Sequence, residues 1–205
     1  MKKQNLLLIF TRNPELGKCK TRLAAKIGDK TALDIYKFLL NHTAGITKNI
    51  KATVTVYYSN EIWEEDIWNA NDCIKKLQKG RDLGERMANA FTQSFDEGYK
   101  NVIIIGSDMF DLNTSDIDDA FKQLEQNNYV IGPAEDGGYY LLGMKKVTPE
   151  IFKNKVWGTE TVLKNTLDDI KKETYKLLKV KNDVDYYEDI KDVDAFQPFL
   201  KNKHL

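Results

Sequence analysis

Cysteine is scarce in this chain. Cys19 and Cys73 are its only two, too few for a disulfide framework or a zinc site. Histidine is equally scarce: His42 and His204 both lie away from any motif, so a histidine-based triad or metal cage has little to work with. Long apolar runs are missing too, since stretches such as Leu6–Phe10 are far too short to span a bilayer. The opening "MKKQNLLLIFTRNPE" starts like a secretion signal, but its apolar part is short and no small-residue cleavage site follows. That run is better used as a buried strand, and the cytoplasm is the expected location. There is no excess of either charge, because Lys+Arg 31 balances Asp+Glu 31. A general attraction to nucleic acid or to an anionic membrane therefore has no support. No Pro/Gly/Ser linker, low-complexity tract or internal repeat interrupts the chain, which predicts one domain over residues 1–205.

What is present is ordinary globular composition, with 41% hydrophobic and 30% charged residues. Gln4–Phe10 reads as a buried strand, and Thr31 is expected to cap a helix to about His42, with Leu33, Tyr36, Leu39 and Leu40 on its apolar stripe. The β-branched and aromatic "ATVTVYYS" reads as a second strand. Leu83, Met87, Phe91 and Phe95 recur every four residues and stop at Gly98, as a helix would. "NVIIIGSD" is the clearest buried strand, followed by a helix capped by Thr114 and carrying Ile117, Phe121 and Leu124. "YVIGP" and "YYLLG" are short strands, Thr161–Lys172 is expected as helix, and "TYKLLKV" returns to strand. Trp63 and Trp68 fall in a helix-like stretch as packing residues, and Lys75–Lys76 and Lys171–Lys172 read as solvated faces. Strand and helix alternate from end to end. The fold class is therefore α/β, with a mostly parallel sheet and helices on both faces.

In open α/β sheets, ligands sit beyond the carboxyl ends of the strands. Here "LGKCKTRLAAKIG" places four cations after the first strand, while acidic residues follow the central and final strands in "GSDMFDL" and "KNDVDYYEDI". Cations at one lip and carboxylates at the other suit a polyphosphate with a divalent metal. Common nucleotide motifs are absent. Gly17-Lys18 is followed by Cys19, and Arg12 stands where a P-loop needs its first glycine, so that pattern fails twice. No G-x-G-x-x-G follows the first strand, which argues against a dinucleotide-binding domain.

"PELGKCKTRLA", "GRDLGERMANAF", "IIIGSDMFDL", "IGPAEDGGYYLLGM", "VWGTETV" and "DVDYYEDI" occur in the order seen in one family. The chain resembles the radical-SAM/selenodomain-associated transferases, glycosyltransferase-like members of the nucleotide-diphospho-sugar transferase superfamily. The likeness runs from about Leu6 to Ile190. It implies a GT-A-type three-layer α/β/α fold with a mixed, mostly parallel sheet and a nucleotide bound across its amino-terminal half. By the same resemblance, Lys20 and Arg22 contact phosphates, with Arg12 beside them. Asp108 is the central ligand of Mg²⁺ or Mn²⁺, and Asp185 is the later one, with Asp183 the fallback. Gly80, Leu83 and Gly84 lie beside the nucleobase, and Asp136, Gly137 and Gly138 form the acceptor-side loop. Phe110 replaces a proline usual in the family two residues after the central aspartate, and Arg12 replaces a common lysine.

Plainer roles compete with these. Lys20 and Arg22 suit a solvated first turn poorly, because cations at a helix N-terminus are mildly unfavourable. An Asp after a strand is often a cap or turn residue, and "DGGYY" suits a tight hairpin. Glu188 and Asp189 fit the first turn of a helix, and Trp157 is a weaker site candidate. The expectation is a metal-dependent transferase acting on a nucleotide or nucleotide-sugar donor, with a nucleotidyltransferase-like phosphate site and a small-molecule acceptor. A glycosyltransferase using a nucleotide-diphospho-sugar is the alternative. A nucleotide-binding protein without turnover is the alternative of another class.

Overall fold

The computed structural model describes residues 4–201, so His204 and the first three residues of the signal-like opening lie outside it. Its centre is a seven-stranded sheet ordered β3-β2-β1-β4-β6-β5-β7. The strands are β1 (Asn5–Thr11), β2 (Thr53–Tyr58), β3 (Ile74–Leu77), β4 (Asn101–Gly106), β5 (Tyr129–Pro133), β6 (Tyr139–Met144) and β7 (Tyr175–Leu177). The helices are α1 (Thr21–Ile27), α2 (Asp29–Thr47), α3 (Leu83–Asp96), α4 (Thr114–Gln126), α5 (Val162–Asp169) and α6 (Gln197–Lys201).

Continuous apolar strands demand cover on both faces, and the side-chain alternation divides that cover cleanly. Leu7, Ile9, Ile103 and Ile105 join Ile117, Phe121 and Leu124 of α4 in one core. Leu6, Leu8, Val102 and Ile104 join Met87 and Phe91 of α3 in the other. This is a three-layer α/β/α arrangement. β6 pairs antiparallel with both β4 and β5, while β1–β2, β1–β4, β2–β3 and β5–β7 pair in parallel. The reason is local: Ala134–Gly138 is too short for a crossover helix, so β5 and β6 close as a hairpin.

Several local expectations are corrected. α2 begins at Asp29 directly after Gly28 rather than at a Thr31 cap, and it runs on to Thr47. The cap of α4 is Asn113, in a reciprocal capping box with Asp116, and the Thr114 hydroxyl instead donates to the Ile46 carbonyl at 2.7 Å. α5 stops at Asp169. The stretch holding Trp63 and Trp68 is loop, not helix, although Trp68 is buried as a packing residue. Lys75 is no solvated face either. Its side chain is 6% exposed, and its ammonium bonds Asp66 at 2.9 Å and donates to the carbonyls of Trp63 and Glu64. A lysine on a short edge strand can reach back under the adjoining loop, which charge pattern alone does not reveal.

Candidate active site

The sheet order reverses between β1 and β4, which opens a crevice at their carboxyl ends. The loop after β1 is shaped from within by Asn13, a buried side chain that donates to the Glu61 carbonyl at 2.9 Å and accepts from the Asn60 amide at 3.1 Å. Lys20 ends this loop as the N-cap of α1, with left-handed backbone angles of φ 48 and ψ 46. For a residue with a Cβ that conformation costs roughly 1–2 kcal/mol. It turns the chain so that Lys20 points inward while Arg22 stands on the first turn of α1.

The Lys20 ammonium donates to Asp108 Oδ2 at 2.7 Å, and its side chain is 6% exposed. Burial works against the charged amine, but the Asp108 carboxylate outweighs it and raises the Lys20 pKa above the usual lysine value. Conversely, burial would raise the Asp108 pKa, but Lys20 overrides it and lowers the carboxyl below its ordinary value. Arg22 Nη1 bonds Asp185 Oδ2 at 2.6 Å, with the guanidinium also over the Tyr186 ring. Asp183 has a different environment. Burial and the facing Asp108 charge push its carboxyl up to about 6.

Arg12, Lys20, Arg22, Arg81 and Arg86 line one cleft of about 680 Å³ together with Asp82, Asp108 and Asp185. A smaller chamber of about 190 Å³ opens beside it, sharing Leu83, Gly106 and Asp108 and adding Asp136, Asp183 and Trp157. The candidates Arg12, Lys20, Arg22, Leu83, Asp108 and Asp185 thus meet at one cleft, and Asp136 and Gly138 line the chamber beyond it.

The glycines have local work. A Cβ on Gly84 would stand 2.6 Å from the Trp157 indole and 2.7 Å from the Phe152 carbonyl, so Gly84 makes room for Trp157. Gly80, at φ +146, would meet the Arg86 amide at 2.7 Å and thus tightens the entry to α3. Neither lines the cleft; their neighbours Arg81, Leu83 and Arg86 do. Gly137, at φ +84, lies against the Glu160 backbone, and the Gly138 amide donates to Asp136 Oδ1 at 2.8 Å. The "DGGYY" segment, expected as an acceptor-side loop, therefore lies at the turn of the β5–β6 hairpin. Asp189 accepts from the Asp185 and Tyr186 amides at 2.9 and 2.6 Å, holding the late acidic loop in shape from a single 3₁₀ turn.

Some residues at the site carried no clear signal. The Tyr36 hydroxyl sits beneath the cleft, accepting from the Arg12 amide at 3.0 Å and contacting Ser107 Oγ at 3.4 Å. Its helical spacing marked it only as core. Gln78 Nε2 bridges the Thr11 and Tyr57 carbonyls at 3.1 and 3.0 Å. Phe110, in the place of the usual proline, packs on Phe196 at 4.9 Å and on Phe38 and His42, anchoring the loop after β4 by an aromatic cluster.

A divalent ion is tested by the donor set. Asp108, Asp183 and Asp185 supply hard oxygen donors that suit Mg²⁺ or Mn²⁺. Among the described residues no group of three His, Cys, Asp or Glu is assembled as a ready metal cage. Such a set fits an ion held by one or two carboxylates and completed by phosphate oxygens and water.

Residues 43–159, more than half of the 205-residue chain, match the model of a family described as an uncharacterized protein conserved in bacteria, DUF2064. The chain belongs to the DUF2064 family. The matched segment of this DUF2064 protein contains Asp108 and Asp136 but neither the cationic first loop nor Asp183 and Asp185. A crystal structure from Desulfovibrio desulfuricans G20, provisionally assigned as a nucleotide-diphospho-sugar transferase, is 28% identical, with TM-score 0.87 over 98% of this chain and 95% of that one. A 4-diphosphocytidyl-2C-methyl-D-erythritol synthase shares the fold at 14% identity and TM-score 0.60, covering 96% and 99% of the two chains. So does Rv0371c of Mycobacterium tuberculosis H37Rv, solved in complex with manganese, at 10% identity and TM-score 0.54 over 97% and 99%. No curated protein matches the sequence. The α/β fold with its mixed, mostly parallel sheet is that of nucleotide-diphospho-sugar transferases and cytidylyltransferases. Among the described residues no helix is long and apolar enough to cross a membrane.

Proposed function

We propose that this protein is a nucleotide-dependent transferase whose larger cleft grips the phosphates of a nucleotide or nucleotide-sugar donor. The observation that carries the reading is the cleft at the β1/β4 reversal, where Arg12, Lys20, Arg22, Arg81 and Arg86 converge on Asp108 and Asp185. Arginine offers phosphate a two-pronged donor and lysine a point charge. Lys20 and Arg22 each hold a carboxylate that phosphate oxygens would replace, so donor binding is an exchange of partners rather than a new burial of charge. A manganese-bound relative and cytidylyltransferases of the same fold support this reading.

Asp108, with Asp183 or Asp185, would hold a divalent ion. Of these two, Asp183 is the better candidate, because burial and the Asp108 carboxylate both disfavour its charge, a penalty that a nearby cation would relieve. When bound, that ion would neutralise and orient the donor phosphates. The protein's own part is to position phosphates and stabilise the charge that develops on the leaving group. An acceptor oxygen forms the new bond while the donor's phosphate oxygen departs, as pyrophosphate in nucleotidyl transfer or as nucleoside diphosphate in glycosyl transfer. The richness in cations favours pyrophosphate.

The test is calorimetric titration of nucleoside mono-, di- and triphosphates and of nucleotide sugars, with and without Mn²⁺. Affinity should rise with phosphate number and with metal, and a uniform absence of binding would overturn the proposal. Pyrophosphate or nucleoside diphosphate release with any acceptor separates an enzyme from a binding protein without turnover.

A further inference from the structure

The two cavities differ sharply in charge. The larger cleft has five cationic side chains on its wall. In the smaller chamber every charged lining residue is a carboxylate: Asp108, Asp136 and Asp183. The remaining wall is largely aromatic or apolar, including Trp157, Tyr139 and Met109. At the boundary Lys20 lines the cleft and donates to Asp108, and Arg22 of the cleft lies within electrostatic reach of Asp136. Asp108 and Asp183 are the chamber carboxylates that would hold a divalent ion, which would offset their charge. Asp136 would still face the chamber.

An acceptor bearing phosphate or carboxylate would meet like charge on this wall, where Lys20, the cation at the boundary, is already bonded to Asp108. A neutral polyhydroxylated ring is suited instead. Its hydroxyls donate to carboxylates, and its C–H face can lie on an indole. At about 190 Å³ the chamber is also smaller than the usual site for a drug-sized ligand, which restricts it to one compact unit.

We infer that the smaller chamber selects an uncharged, hydroxyl-bearing acceptor of sugar or polyol type and rejects its phosphorylated counterpart. This rests on the transferase reading above. In the step, an acceptor hydroxyl oxygen bonds to the transferred phosphorus or anomeric carbon. The donor's phosphate oxygen leaves with the old bonding pair, and the hydroxyl proton passes to water.

The experiment has two arms. Nucleotide titration with Mn²⁺ tests the donor cleft alone, and failure there removes the transferase reading. With donor bound, neutral sugars and polyols are compared with their phosphate esters by binding and by product release. Neutral compounds should be preferred at least tenfold. Asp136→Lys, at an exposed position, should reduce or reverse that preference. Trp157→Phe should retain, and Trp157→Ala lose, affinity for the neutral acceptor. Phosphate esters bound as well as or better than neutral compounds, or neither class bound by the donor-loaded protein, would overturn the inference while leaving the donor site intact.

Discussion

The ammonium of Lys20 and the carboxylate of Asp108, 88 residues apart in sequence, meet at 2.7 Å across the crevice between β1 and β4. The pair joins the basic loop after the first strand to the acidic turn after the central one. Under the proposed function, it couples the stability of the site to phosphate binding.

Removing Lys20 should affect both. Lys20→Ala should lose nucleotide affinity in proportion to phosphate number, by ~1.5–3 kcal/mol, or roughly tenfold to hundredfold. It also strands a partly buried carboxylate, so urea midpoints should fall. Lys20→Met combined with Asp108→Asn should recover stability without recovering binding, because it removes both charges at once. Lys26→Ala, on the exposed last turn of α1, should match wild type in both measurements.

The acidic residues should separate by calorimetry with and without Mn²⁺. Asp108→Asn and Asp183→Asn should each abolish most of the metal-dependent gain in nucleotide affinity. Asp185→Asn should lose less, since Asp185 lines the cleft but not the chamber that Asp108 and Asp183 share. A larger loss at Asp185 than at Asp183 would return the second metal position to Asp185.

Gly84→Ala tests the packing between cleft and chamber. The new methyl would stand 2.6 Å from the Trp157 indole and 2.7 Å from the Phe152 carbonyl. Overpacking of this kind costs about 1–3 kcal/mol, to be read as a lower thermal midpoint. Trp157→Ala in the same chain should restore part of the loss, since the indole is one of the two obstructing groups.

Lys75 is ion-paired beneath a loop, with Asp66 also largely enclosed at 11% side-chain exposure. Lys75→Ala should destabilise by about 3 kcal/mol, the lower end for breaking a buried pair. Lys76→Ala should cost less, because its salt bridge to Glu97 is more exposed. Equilibrium unfolding in urea distinguishes the two.

Cys19 lines the cleft but is only 4% exposed, and burial raises its thiol pKa. The reactive thiolate is thus disfavoured at neutral pH. Alkylation should be slow near about pH 7 and keep rising with pH beyond the point, about pH 8.5, where an ordinary free thiol begins to level off. Bound nucleoside triphosphate should slow it further, as mass spectrometry of the Cys19 peptide would show.

Much of this protein was determined by local sequence. Continuous apolar runs in "NLLLIF" and "NVIIIG" dictated strands covered on both faces, and the four-residue recurrence from Leu83 to Phe95 dictated α3, because side-chain direction follows backbone geometry. The clustering of cations and carboxylates after particular strands placed them at one end of the sheet. Only tertiary structure decided the pairings. Lys20 reaches Asp108 because β1 and β4 are neighbours; Arg22 reaches Asp185 because the final loop folds back over α1. The same folding assigned Tyr36 to the floor of the cleft, Gly84 to the clearance of Trp157, and Lys75 to a buried ion pair. Periodicity reports which face a residue occupies. Which distant group it meets there depends on strand order and loop path, and those follow from the packing of the whole chain.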